Sequence, residues 1–507
     1  MYLHLYCDII SSDTIVHHTI KNRKNDKMIK TNDLVFLTDL YEFTMAYTYF
    51  KENRHEEIVY FDMFTRKVPN QGGYLIFNGL EKMIESLKLF KFEQKHIDYL
   101  RTQGFDDEDF LDYLLNMTLN LDVWAVPDGT VVFPHEPLIT VKGTVIEAQL
   151  VETLILLSVN YSTLVTSKAS RIVNAARGRA VLEFGARRAH GYDASLDGAR
   201  AAIIAGCYGT SHTLTGEKYG AQVSGTMAHS YIQLHDSEYE AFQAFCKHNP
   251  DNSVLLVDTY DTLKSGVPNA IKIAKEFLIP NGHRLKAIRL DSGDLAYLSK
   301  EARKMLDEAG LKDCKIMASN SLDEHLIDDL IYQGAAIDQF GVGENLITSK
   351  SDPVLGGVYK LVAQEHDGII TPKIKVSDNI EKITNPSYKR LYRFYDKDTN
   401  KALADYIALA HEIIPEDEIT IFSSNAPWKR KTLTNYRVRE LQVPIFIKGE
   451  AVYETPTLAE VSDYSKKEMD SIWEEVKRLH YPHQYYVDLS QELYDLKLSL
   501  LHDLGQD

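Results

Sequence analysis

Apolar and polar positions follow two different rhythms along this chain. Between residues 31 and 145 the pattern is mixed. Leu40, Phe43 and Tyr47 recur at helical spacing behind Thr38 and Asp39, a pair able to cap a helix start. The run EIVYFDMF at 57–64 reads as a strand. The stretch VWAVPDGTVVFPHEPLITVKG at 123–143 reads as short strands around a hairpin turn at Asp128-Gly129. Leu150, Leu154, Leu157 and Leu164 then predict a long helix over 146–176. Beyond it a regular unit takes over: a short apolar strand, a turn of small or charged residues, an amphipathic helix. VLEF precedes GARRAHG, GAQVSG precedes TMAHS, SVLLV precedes DTYDT, KAIRL precedes DSGDL, KIMAS precedes NSLDE and AIDQF precedes GVGENL. Such alternation predicts parallel βαβ units. Six in succession, without one Gly-rich dinucleotide fingerprint, favour a barrel over an open sheet. From about 385 the chain returns to hairpin and helix, with a turn at Asp396–Asn400 and an amphipathic helix over Leu489–Leu501.

Composition removes several function classes. The 507 residues carry a formal net charge of −17, a poor match to nucleic acid, which requires a basic footprint. Small anions remain possible ligands, because a few arginines can reverse the field inside one cleft. The four cysteines, Cys7, Cys207, Cys246 and Cys314, contain no CxxC pair, so neither a disulfide framework nor a structural zinc site is expected. A reducing, cytoplasmic setting fits. The longest uncharged run near the middle, Thr153 to Ser167, is short and contains Ser, Thr and Asn, so no membrane span is expected. Asp8 and Asp13 interrupt the apolar residues near the start, which excludes a secretory core. Residues 1–30 read as a disordered extension, and Met28 as the start of the natural protein.

In a barrel of this type the working residues stand at the C-terminal ends of the strands. Here those ends carry Glu183, Arg187, Arg188, His229, Asp258, Asp261, Arg289, Asp291, Asp294, Ser319, Asn320, Gly341 and Gly343. The glycines of FGVGENL offer backbone N–H groups to a phosphate, or make a tight turn. Arg289 with Asp291 in RLDSGDL, and Asp258 with Asp261 in VDTYDT, exceed what one helix cap needs, although each aspartate alone can be a cap. Carboxylates beside a phosphate site point to Mg²⁺ or ribose hydroxyls, and arginines to anions. Together they indicate a phosphorylated sugar. No Walker motif, G-x-S-x-G or His-rich metal cluster accompanies them.

EFGARRAHGYDAS (183–195), SGTMAHSYIQLHDSEYEAF (224–242), RLDSGDL (289–295), FGVGENL (340–346), LGGVYKLV (355–362) and TDLYEFTMAY (38–47) together resemble the nicotinate phosphoribosyltransferase family. The resemblance runs from about residue 31 to the C-terminus, with the motifs in the family order. It implies the type II phosphoribosyltransferase fold: an irregular, TIM-like α/β barrel domain (151–384) on an α+β domain made from both chain ends (31–150 and 385–507). It implies ATP-coupled joining of nicotinate to 5-phosphoribosyl-1-pyrophosphate, formally a ligase reaction, on the route from nicotinate to NAD. Mg²⁺ would accompany the pyrophosphate and ATP, and a homodimer would share its sites. His229 matches the phosphorylated histidine. Phe184 matches the ring that stacks on the pyridine, and Tyr41 the partner-subunit aromatic on its other face. Arg289, Asp291 and Asp258 match groups on the base, sugar or metal side, with Arg187 among the substrate contacts. Gly341 and Gly343, flanked by Ser319 and Asn320, match the 5′-phosphate loop. Arg66 matches a basic residue reaching the pyrophosphate across the dimer, with Lys375 and Lys389 in a supporting basic segment. Ser211 stands where the related nicotinamide enzyme carries an aspartate, which favours a carboxylate substrate. Glu344 departs from the family pattern, in which many members have Thr. Nicotinamide and quinolinate phosphoribosyltransferases, and a non-catalytic nucleotide sensor, are the alternatives.

Overall fold

The structure is a computed structural model that describes residues 31–424 and 426–505. The expected N-terminal extension, with Cys7 and Met28, lies outside the described residues.

The βα rhythm produces one six-stranded parallel sheet. Across it the order is Gly209–Thr210, Ala180–Glu183, Gln339–Val342, Lys315–Ala318, Ala287–Leu290 and Val254–Leu256. In chain order the strands follow one another around a curve, and the last, 339–342, returns to pair with the first, 180–183. Among the described residues no ladder joins 209–210 to 254–256, so the sheet is a curled half-barrel. The expected strand GAQVSG is absent. Gly209–Thr210 takes its place, and the segment meets it only at one bridge, Thr210 to Val223, where Thr210 N–H bonds the Gln222 carbonyl at 3.0 Å and Ser224 N–H bonds the Thr210 carbonyl at 2.9 Å. Gly220, Ser224 and Gly225 leave that segment little to bury, and Gly220 turns the chain at φ +69°. The strands' alternate faces pack with flanking helices such as Leu295–Glu308 into one apolar core running from Val165 to Leu346.

A second core joins residues from Val35 to Leu164 with others from Leu355 to Leu493. Its seven-stranded sheet has the order Ile369–Pro372, Gly357–His366, Ile58–Thr65, Ile139–Thr144, Asp122–Ala125, Val443–Ile447 and Glu450–Ala451. Strands from both chain ends therefore share one sheet. Asp128-Gly129 does not close a hairpin between neighbours. Strand 122–125 pairs with 139–144, and the two-residue strand 131–132 pairs with 75–76. Asp128 is instead drawn inward, accepting Leu80 N–H at 2.9 Å and pairing with Arg200 at 3.3 Å. The expected hairpin near 396–400 is present as Lys389–Asp396 against Ala402–Leu409. Inside that sheet Arg393 is fully buried, with two 2.6 Å bonds to Asp405, one of 3.1 Å to Glu468 and one of 2.7 Å to the Val131 carbonyl.

Helices Val145–Leu150 and Glu152–Ala175 run almost continuously and connect the two cores. By length and composition this 31-residue stretch could cross a membrane, which the uncharged run alone did not disclose; 67% of its most apolar window is buried in the protein. Its Ser and Thr side chains are satisfied locally or by the chain beside them. Ser167 Oγ accepts Ile76 N–H, and Thr163 Oγ1 exchanges bonds with the Asn78 backbone.

Candidate active site

The strand ends of the half-barrel do converge. Asp258, two residues past strand 254–256, has a side chain that is 1% exposed. Its Oδ1 lies 3.2 Å from His229 Nε2, while Oδ2 accepts Asp291 N–H at 2.8 Å and Ser292 O–H at 2.6 Å. Arg289, on strand 287–290, bonds Asp291 Oδ1 at 2.9 Å through Nη2 and Ser319 Oγ at 2.9 Å through Nε. Ser319 also donates to Asp291 Oδ1. The result is one continuous network, His229–Asp258–Asp291–Arg289–Ser319, drawn from the ends of three adjacent strands and the start of helix His229–Gln233. The His229 side chain is 40% exposed, so one face of the imidazole is open to a ligand.

Phe184 follows strand 180–183 directly and stands beside this network, with the Arg289 guanidinium 5.7 Å from its ring centre. Gly341 explains how the ring fits. A Cβ there would come within 2.6 Å of the Phe184 ring. Gly341 therefore lies within a strand and clears space for the aromatic, whereas Gly343 is the residue in the loop itself. Asn320 and Ser321 hold positive φ values of 92° and 49°, a conformation few side chains adopt. Asn345 Nδ2 pins that turn by donating to the carbonyls of Ser321 at 2.7 Å and Leu322 at 3.2 Å.

The other residues singled out from sequence divide. Ser211 is exposed at the end of strand 209–210, its N–H bonded to the Glu183 carbonyl at 2.9 Å. Arg187 is exposed and forms no ion pair among the described residues. Arg188 lies 3.9 Å from Glu344, and Lys350 pairs with Glu344 at 2.8 Å. Those cations hold the Glu344 carboxyl below its usual range, the Lys350 bond being the main cause. Asp261 and Asp294 are helix caps: the first accepts Leu263 and Lys264 N–H, the second Tyr297 N–H. Lys389 is buried and paired with Asp62 at 2.5 Å inside the α+β part of the chain. Arg66 follows strand 58–65, and its Nε is buried without a hydrogen-bond partner among the described residues. Tyr41 makes no ring contact with Phe184 among the described residues. It borders a separate cleft of about 270 Å³ with Glu152, Leu157 and Tyr161. Burial and then the Glu152 and Glu42 carboxylates push its phenol up to about 12.

Sequence spacing did not single out Ser292, Asn345 or Thr210. RLDSGDL contained the signal for Ser292, a hydroxyl beside the paired acids. Asn345 and Thr210 act on neighbours far away in sequence, which no local pattern reveals. A cavity of about 920 Å³ bordered by His135, His325, His480, His483 and Lys497 shares no residue with the strand-end network. The network is the candidate active site, because it unites a partly open histidine, two acids and an arginine at strand ends.

Three family models match the chain: the nicotinate phosphoribosyltransferase N-terminal domain at residues 36–160, the nicotinate phosphoribosyltransferase family at 180–404 and the C-terminal domain at 388–497. The chain is 44% identical to the nicotinate phosphoribosyltransferase of Bacillus subtilis, over 94% of this chain and 96% of that one. It is 40% identical to a Mycobacterium tuberculosis nicotinate phosphoribosyltransferase, over 87% and 88%. The crystal structure of human nicotinic acid phosphoribosyltransferase superposes with a TM-score of 0.80 at 28% identity, covering 91% of this chain and 99% of that one. The chain belongs to the nicotinate phosphoribosyltransferase family of enzymes.

Proposed function

We propose that this enzyme joins nicotinate to 5-phosphoribosyl-1-pyrophosphate, giving nicotinate mononucleotide and pyrophosphate, and couples the reaction to ATP through phosphorylation of His229. The observation that carries the reading is the His229–Asp258 contact at 3.2 Å inside a network that also holds Asp291 and Arg289. The names of the relatives supply the substrate class.

The pyridine nitrogen of nicotinate is unprotonated near neutral pH and needs no general base. The barrier is cleavage of the ribose C1–O bond, which builds positive charge on the sugar. The site lowers that barrier by orientation and by stabilising the leaving pyrophosphate. Phe184 would stack on the pyridine, Ser211 would donate to its carboxylate, and Arg289 and Arg187 would hold anionic groups. Asp258 and Asp291 would hold the sugar side, and Gly343, Ser319 and Asn320 the 5′-phosphate, with Gly341 making room for Phe184. For the ATP step, Asp258 accepts a hydrogen bond from the Nε2–H of a neutral His229, which fixes the tautomer in which the Nδ1 lone pair is free. Nδ1 attacks the γ-phosphorus, the bond to ADP breaks, and ADP leaves with the electron pair. Asp258 then balances the positive charge on the phosphorylated ring. Among the described residues no group of three or more His, Cys, Asp or Glu could hold a metal ion. Mg²⁺ would arrive on the substrate phosphates and neutralise their charge, with Asp291 the residue that would help hold it.

The same reading takes the half-barrel, with loop 223–229 across its gap, as the functional TIM-like barrel of residues 151–384, resting on 31–150 and 385–507. It also takes the enzyme as a cytoplasmic homodimer in which Tyr41 and Arg66 serve the partner's site. Cys207, Cys246 and Cys314 are free and buried, as a reducing compartment would leave them.

The deciding experiment is turnover of nicotinate with the ribosyl donor, with and without ATP, in wild type and His229→Ala. The wild type should form nicotinate mononucleotide faster with ATP and take label from γ-labelled ATP. His229→Ala should lose the label and the ATP stimulation; full retention of either would sink the assignment. Nicotinamide and quinolinate as competitors separate the sister activities.

A further inference from the structure

Glu183 is fully buried at the end of strand 180–183 and takes no part in the chemistry above. Its two carboxylate oxygens nevertheless grip two different segments. Oε1 accepts the N–H of Gly185, the residue after Phe184. Oε2 accepts the hydroxyl of buried Thr210 at 2.6 Å. Thr210 Oγ1 in turn accepts His212 N–H at 2.9 Å, and the Glu183 carbonyl accepts Ser211 N–H at 2.9 Å. Ser211 is thus fixed from both sides of its backbone, and Phe184 is held between its own Val342 carbonyl bond of 2.8 Å and the Gly185 anchor. Gly185 is pressed close as well: a Cβ there would lie 2.7 Å from the Gly343 carbonyl. A short apolar side chain at 183 would have tied the strand into the core more cheaply, because a buried carboxylate carries a desolvation penalty.

We propose that Glu183 is the positioning residue for substrate selection: it fixes the distance between the ring-stacking Phe184 and the carboxylate-reading Ser211. The inference rests on the proposed roles of those two residues. An acceptor with two oxygens suits this place because both arms end on donors, an amide N–H and a hydroxyl, which counter the burial that raises the pKa of the carboxyl. Glutamine keeps the shape but presents N–H where one of those donors stands.

The test is Glu183→Gln, assayed for KM and kcat with nicotinate, nicotinamide and the ribosyl donor. The expected result is a rise of about ten-fold in nicotinate KM, the loss of roughly one charge-assisted hydrogen bond in alignment. The preference for nicotinate over nicotinamide should fall by a similar factor while the donor KM stays within about two-fold. Thr210→Val cuts one arm only and should give a smaller effect of the same kind; it carries the decision if Glu183→Gln fails to fold. Ser211→Ala reports on the underlying reading. If Ser211→Ala raises nicotinate KM and neither Glu183→Gln nor Thr210→Val does, the positioning role is overturned and the reading of Ser211 stands. If Ser211→Ala changes neither KM nor preference, the reading of Ser211 fails and the inference with it. An equal rise in the KM of all three substrates would mean that Glu183 only holds the fold.

Discussion

Asp258 and Asp261 look alike in VDTYDT, and Asp291 and Asp294 look alike in RLDSGDL, yet the fold gives the members of each pair different work. Asp261 and Asp294 bond N–H groups two or three residues ahead, which is ordinary helix capping. Asp258 bonds residues 29, 33 and 34 positions away. Spacing alone cannot separate a cap from a long-range acceptor, because the choice depends on which strand arrives alongside. The set of candidate acids was therefore legible in the sequence, and the division within it was not. Asp258→Asn tests the consequence. The amide oxygen can still accept Asp291 N–H, but its NH₂ faces His229 Nε2 and no longer stabilises a protonated or phosphorylated ring. Incorporation of label from γ-labelled ATP should fall at least about ten-fold, with nicotinate KM changing far less. Glu344 is the converse case, a carboxylate where a phosphate loop is expected. Lys350 and Arg188 already neutralise it. Glu344→Gln would free both cations, so donor KM should drop by no more than about three-fold at low salt and be unchanged at high salt.

At the level of elements, periodicity was enough for the parallel strand–helix units, the 40–51 helix and the 389–409 hairpin, because each depends on a regular apolar face. It failed at Gly209–Thr210, a two-residue strand with no periodicity to detect, and at Asp128, whose turn residues are used to reach Arg200. It also gave no sign that Arg393 is a core residue. Arg393 sits among Asp405, Glu468 and the Val131 carbonyl, and beside Asp405 the buried Glu136 carboxyl is pushed well above its usual range by burial. Removing the cation leaves these acids buried and uncompensated, so Arg393→Met should destabilise the protein by about 3–5 kcal/mol, read from denaturant midpoints. Helix Leu40–Lys51 carries a pH-dependent contact of the opposite kind. Glu42 is buried against Thr153, which donates to Oε1 at 2.9 Å, while Oε2 has no hydrogen bond of normal geometry among the described residues; burial raises its pKa to about 7 from 4.5. A carboxyl that binds its proton more tightly when folded favours the folded state at low pH. That advantage is full below about 4.5 and is lost as pH rises through about 7. Glu42→Gln removes the titration. Its melting temperature relative to wild type should therefore be higher at pH 8 than at pH 5, by the equivalent of about 2 kcal/mol once water access is allowed for. Parallel pH series of thermal melts would check this, and identical pH slopes would refute it.

For the whole molecule the open question is how the aromatic and basic residues that the family pattern assigns to the site can reach it. Within one chain Tyr41 borders a different cleft from Phe184, and no contact joins them among the described residues. The surface around Tyr41 is apolar where a soluble monomer would be expected to be polar: Leu40 is 56% exposed, Tyr41 47% and Leu157 54%. Such a contiguous patch, rimmed by Asp39 and Glu152, has the character of a contact between copies. In the homodimer proposed above, covering this patch would be the step that brings Tyr41 to the partner's site. This makes a strong prediction, since a residue acting in trans can be separated from one acting in cis. Tyr41→Ala should weaken nicotinate binding, and His229→Ala should abolish ATP-coupled turnover. Each homodimer then has two defective sites. A mixed dimer has one site with both defects and one site with neither, because Tyr41 comes from one chain and His229 from the other. Unfolding and refolding the two variants together at equal amounts should recover about a quarter of wild-type ATP-coupled activity, since half the dimers are mixed and each has one intact site. If Tyr41 serves its own chain's site, mixing gives no gain over the average of the separate variants. Placing both substitutions in one chain and mixing it with wild type is the control, and there the two arrangements exchange predictions: in trans, a mixed dimer has one defect in each site; in cis, it keeps one intact site.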